Sequence, residues 1–321
     1  MIQPEDGIAG ESKTPAETSG RPVTPFEDDT IPGPESPTSR NMSIMWLSIA
    51  CYIAFINVVP LIPFHPGRHL TWQALVLLIA PTVIFMLLQL WVPWTVVRIR
   101  QSVTTEMWQT ALFAATWIGF LFIFPPHRGF PRAANILLLS LSFLVQTLTL
   151  ARMGSLLARI VREAKILLPL GFIAGLIDII GAMTRVGFTN NVMRHHPEIV
   201  AQVSVAVPTV HGLRFGSSIG PGDLLFIAFF FAVVQRHNLN LRWTFRLVYI
   251  FLTISMLAVQ FTPVPSIGAL APMGIAVIIS NARYFEFTRE EKFAMLYAGL
   301  IAFACTLGFF FFTNALFHHR P

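Results

Sequence analysis

Beginning at residue 43, apolar runs of about twenty residues follow one another almost to the C-terminus, broken by short polar, basic or proline-containing stretches. A helix of roughly 20 residues is long enough to cross a hydrocarbon layer about 30 Å thick. The pattern predicts nine membrane-spanning helices, over 43–63, 71–97, 107–125, 132–151, 165–184, 221–237, 243–262, 265–283 and 291–316, with aromatic or basic residues at their ends. Around Pro263 and Pro265 the same pattern also fits one broken element in place of two helices. The first 42 residues differ: seven prolines and many Ser, Thr and Glu residues leave no apolar face to bury, which predicts a disordered tail. No internal repeat is evident.

Composition agrees with this patterning. Of 321 residues, 54% are apolar and 12% charged, too few charges for a soluble domain of this length. The formal charge of +6 divides unevenly, because residues 1–42 carry eight acids against three bases and the remainder is basic. Basic membrane proteins place that excess on cytoplasmic loops, so no nucleic-acid partner is expected. Alternating the loops across nine spans puts Arg152, Arg159, Arg162 and Lys165 on the inside with the N-terminus, and the loop before Asp223 outside. Cys51 and Cys305 lie in separate apolar segments, so neither a disulfide framework nor a zinc site is expected. The chain divides into a tail (1–42), N-terminal transmembrane helices (43–164) and a C-terminal transmembrane core (165–321).

The chemistry is concentrated in two carboxylates. Beyond the tail there are eight acids: Glu106, Glu163, Asp178, Glu198, Asp223, Glu286, Glu290 and Glu291. Six read as loop or interface residues. Asp178 and Asp223 fall within or at the mouth of apolar spans, where an ionisable group costs several kcal/mol and is by default a functional candidate. Gly171, Gly175, Asp178 and Ala182, spaced by four, three and four, form one small and polar stripe, predicting that Asp178 faces protein and not lipid. Pro221 suits the first turn of a helix, so Asp223 is expected in the opening turn of the next span. Consecutive spans run antiparallel, which allows the two carboxylates to reach similar depth.

The segment Gly220-Pro221-Gly222-Asp223 resembles the GxGD motif of presenilins and signal peptide peptidases. In that family a first aspartate lies in the preceding helix, as Asp178 does, and a Pro-Ala-Leu motif sits in a later one. Here Ala269 and Leu270 correspond to its Ala-Leu pair, Gly268 stands in place of the motif proline, and Pro272 follows. The resemblance spans residues 165–283. It implies a presenilin-like, all-α polytopic fold and an intramembrane aspartyl endopeptidase. Asp178 and Asp223 would be catalytic, with Gly220, Gly222, Ala269, Leu270 and Pro272 meeting substrate. It further implies transmembrane proteins or peptides as substrates, the lipid bilayer as surroundings, and neither metal nor organic cofactor.

Two carboxylates in a membrane also suit a proton- or ion-coupled transporter, and a structural scaffold would use Asp178 only as packing glue. His195-His196 and His318-His319 lack ligand spacing and are read as solvated. Val203, Val205 and Val207 alternate at period two, which predicts a strand edge in the linker before Asp223, and the stretch from Arg152 to Lys165 reads as a basic helix on the membrane surface.

Overall fold

A computed structural model describes residues 39–63, 72–123, 131–183, 195, 200, 202–210, 217–262, 268–285 and 288–318. Nine α-helices of twelve residues or more lie among them: α1 (Ser39–Val58), α2 (Trp72–Arg98), α3 (Val103–Ile123), α4 (Arg132–Ala158), α5 (Leu167–Met183), α6 (Pro221–Arg236), α7 (Leu241–Phe261), α8 (Leu270–Asn281) and α9 (Arg289–His318). A two-stranded antiparallel ladder, β1 (Val205–Ala206) on β2 (Ser218–Ile219), immediately precedes α6. The protein is mostly helical.

Five elements are long and apolar enough to cross a membrane: Ser39–Leu61, Trp72–Arg98, Val103–Ile123, Ala133–Ala158 and Leu241–Phe261. The surface is inverted relative to a water-soluble fold. Trp108, Phe122 and Trp46 are 74%, 79% and 60% exposed, while Gln89 and Gln146 are fully buried. In lipid, apolar side chains need no shelter and polar ones do, so the protein is membrane-embedded. The expectation of nine full-length spans is met only in part. Helices α5, α6 and α8 have 17, 16 and 12 residues. The shortest is about 18 Å long at 1.5 Å per residue. Each of α6 and α8 begins late because extended or irregular backbone, at Gly220 and at Gly268, occupies the membrane-end turn that the apolar pattern alone would have made helical.

Other boundaries moved for identifiable reasons. Helix α1 starts at Ser39, inside the stretch read as tail; residues 1–38 lie outside the described residues, as do Pro263, Pro265, His196 and His319. Helix α7 ends at Phe261 and α8 starts at Leu270, so the proline-rich stretch separates two elements that pack on one another. Arg152 is not on a surface helix: α4 runs on to Ala158 and Arg152 is 5% exposed inside it.

Helix α6 is the centre of the bundle, packed on α2, α4, α7 and α8. Phe230, Phe231, Val233 and Val234 on it are fully buried. Gly154 lets α4 lie directly on α6, since a β-carbon there would meet the Phe229 nitrogen at 2.6 Å and the Leu225 carbonyl at 2.9 Å. Helix α8 packs on both α5 and α7, and α9 lies against α5. At the end where α7 begins, Asn281 fastens α7 to α8: its Oδ1 accepts from the Asn240 N–H at 3.0 Å and its Nδ2 donates to Thr244 Oγ1 at 2.9 Å.

Candidate active site

The small stripe on α5 meets α8. A β-carbon on Gly274 would lie 2.7 Å from the Gly171 carbonyl oxygen, and one on Gly175 would lie 3.1 Å from the Ala271 Cα. The two backbones therefore touch, which only residues without bulk permit. The pairing runs antiparallel, Gly171 with Gly274 and Gly175 with Ala271. One further turn along α5 it delivers Asp178 to the start of α8.

Every helix begins with backbone N–H groups that have no partner inside it. The residue that precedes α8 is Ala269, whose side chain cannot accept a hydrogen bond. Asp178 fills that role from another helix: its Oδ2 accepts from the Leu270 N–H at 2.7 Å, and the Ala271 N–H is also directed at the carboxyl group. A helix N-terminus favours an anion, so the arrangement is electrostatically matched. It also depends on Gly268, where a β-carbon would collide with the Asp178 carboxyl group.

Asp223 occupies the opening turn of α6, two residues after Pro221, as the sequence predicts. Its Oδ2 accepts from the Gly220 N–H at 3.2 Å, fixing the side chain back toward the turn that precedes the helix. Asp178 and Asp223 are close enough to interact electrostatically, and both are partly buried. Two carboxyl groups from helices 45 residues apart in sequence thus share one environment at one end of the bundle.

The remaining predicted residues fall around this pair unequally. Gly220 is the residue before α6 and touches Asp223, with 3.3 Å from an added β-carbon to Oδ2. Gly222 faces open space. Leu270 contacts Asp178 through its backbone, and Ala269 stands just before it. Pro272 sits in the first turn of α8, where its missing N–H costs nothing, and no bond to either aspartate is recorded for it.

The expected strand edge is present but shorter than the valine alternation implied. Val205 pairs with Ile219 and Ala206 with Ser218, and the Val207 N–H donates to the Ser217 carbonyl at 3.0 Å. Two glutamines that the sequence reading passed over hold this ladder. Gln146 of α4 donates through Nε2 to the Val203 carbonyl at 2.5 Å, and Gln260 of α7 donates to both Ser217 Oγ and Thr82 Oγ1 at 2.9 Å. The signal was available: an amide inside an apolar run needs a partner for the same reason a carboxylate does. Among the described residues no group of three or more His, Cys, Asp or Glu could hold a metal ion.

Fold and site together define an all-α membrane protein with a pair of neighbouring carboxyl groups seated at helix starts. No family model, curated protein or solved structure matches this chain.

Proposed function

We propose that the chain is an intramembrane aspartyl endopeptidase of the GxGD type, cutting peptide bonds in the transmembrane segments of other membrane proteins. The observation that carries this reading is the convergence of Asp178, Asp223 and the Gly268–Leu270 backbone at one end of the bundle. A presenilin-like arrangement of nine embedded helices accompanies it: five cross fully, while α5, α6 and α8 are shortened around the site. The loop before Asp223 then faces outward, which favours substrates with cytoplasmic N-termini, as in signal peptide peptidases.

In this reading Asp178 and Asp223 share one proton. The ionised carboxylate takes a proton from a water as its oxygen attacks the scissile carbonyl carbon, and the protonated one donates to the carbonyl oxygen. The C–N bond of the resulting tetrahedral species breaks as its nitrogen takes up a proton, leaving a carboxylic acid and an amine. No cofactor enters. A substrate helix must unwind first, since its carbonyls are otherwise occupied. The β1–β2 ladder, ending one residue before Gly220, offers backbone groups with which an unwound strand could pair, and the space beside Gly222 leaves room for one.

The deciding experiment is cleavage of a transmembrane peptide in liposomes by wild type, Asp178→Asn and Asp223→Asn. Asparagine keeps an oxygen for the Leu270 or Gly220 N–H, so each variant retains its helix contact and loses only ionisation. Both are expected to lose about a thousandfold or more in rate. Peptide products that persist in either variant would end the proposal. Aspartate-dependent proton or ion flux without peptide products would assign the pair to a transporter.

A further inference from the structure

At the end of α6 opposite Asp223 lies a cavity of about 470 Å³. Thirteen residues of helix, about 20 Å, separate the two places. The C-terminal ends of α2, α4 and α6 and the start of α3 surround it, and Arg100, Arg159, Arg236, Gln101, Ser155 and Glu106 are among its walls. Three guanidinium groups therefore face one concavity that holds a single carboxylate. Arg159 is committed to the wall itself, donating to Glu106 Oε2 at 2.9 Å and to the Gln101 carbonyl at 2.8 Å. Arg100 and Arg236 are exposed and have no ion pair among the described residues.

A second observation comes from below. Arg152, Ser155 and Arg159 repeat at intervals of three and four on α4, so Arg152 lies on the stripe that lines the cavity, deeper in the bundle. It is 95% buried by the measure that leaves it 5% exposed, and its Nη1 has no hydrogen-bond partner. Glu106 is its electrostatic neighbour, but that carboxylate already serves Arg159. Orientation by basic loops explains arginines distributed along a membrane surface. It does not explain four that converge, one of them buried with an unmet donor, around a space large enough for a ligand.

We infer that this cavity binds a phosphate-bearing anion of the kind carried by acidic phospholipid head groups. Guanidinium forks match phosphate oxygens in geometry and charge, and basic pockets between helices at the cytoplasmic side of a membrane are suited to such head groups. Arg100 and Arg236 close on the phosphate from the rim, Arg159 is held ready by Glu106, and Arg152 supplies positive potential from beneath.

The test uses the full chain in detergent, with native mass spectrometry reading retention of dioleoyl phosphatidic acid against dioleoyl phosphatidylcholine, and with inorganic phosphate as a separate probe. Arg100→Gln with Arg236→Gln removes the two rim charges. Arg246→Gln with Arg289→Gln removes the same charge from exposed positions outside the cavity. The expected result is preferential retention of a phosphate-bearing anion by wild type, reduced about tenfold or more in the rim pair and unchanged in the control pair. Retention of phosphatidic acid that inorganic phosphate does not displace assigns the site to lipid; tight binding of inorganic phosphate assigns it to a soluble anion. Equal losses in both pairs, or no preference in wild type, would overturn the inference.

Discussion

Gly268 lies so close to Asp178 that a β-carbon on it would stand 2.7 Å from the carboxyl Oδ1 and nearer still to Cγ and Oδ2. The same carboxyl receives the Leu270 N–H two residues on. The chain at the start of α8 therefore wraps the carboxyl group, and the absence of a side chain at position 268 is what admits it.

The first prediction follows from that contact. Gly268→Ala should push the Asp178 carboxyl aside or lift the segment away, by something near an ångström. Misplacement of that size costs on the order of a hundredfold in a reaction that depends on alignment. Peptide cleavage should fall by about that factor while the melting temperature changes little. Cleavage at the wild-type rate would show that Gly268 does not set the position of Asp178.

How much of this was legible beforehand differs from residue to residue. The long helices were readable because a bilayer imposes one length on any apolar run, and Asp178 and Asp223 stood out because charge is rare in such runs. The shortness of α8 was hidden: Gly268, Ala269 and Leu270 are as apolar as the helix they precede, so nothing in hydrophobicity marks where irregular backbone ends. Arg152 was misread because it begins a basic cluster, and only the continuation of α4 to Ala158 reveals that it points into the bundle. Gln146 and Gln260 were missed because an amide is uncharged, although burying one without a partner is nearly as unfavourable as the reasoning applied to the aspartates.

Those glutamines give the second prediction. Gln146→Leu removes the donor to the Val203 carbonyl, and Gln260→Leu removes the donors to Ser217 and Thr82. Each net hydrogen bond is worth about 1 kcal/mol, so local opening of the β1–β2 ladder should become about fivefold more frequent. Faster amide hydrogen exchange at Ala206 and Val207, with helices unchanged, is the expected signature. Unaltered exchange would mean that the ladder is held by its own pairing.

The third prediction compares two glycines. Gly274 faces the Gly171 carbonyl at a distance no β-carbon tolerates, whereas Gly222 has nothing within 4 Å. Gly274→Ala should therefore force α5 and α8 apart and destabilise the protein by about 1–3 kcal/mol. Gly222→Ala should leave the melting temperature unchanged or slightly raised, because alanine is the better helix former. If Gly222→Ala nonetheless raises KM, the open space beside it is occupied by substrate; an unchanged KM would remove Gly222 from the proposed substrate contacts.

The last prediction concerns pH and belongs to the pair, not to either residue. A shared proton means that cleavage needs one carboxyl ionised and the other protonated, so the rate must fall when acid protonates both and again when alkali ionises both. The profile of kcat/KM in liposomes should be bell-shaped. Asp178 and Asp223 act on one another through space, and each also accepts a backbone N–H, from Leu270 and Gly220 respectively. Neither limb can therefore be credited to a single side chain, and substitution of either aspartate should remove both limbs with the activity. A profile with one limb only, or a residual limb in Asp223→Asn, would mean that a single carboxyl carries the chemistry and that the proposed dyad is not the reacting unit.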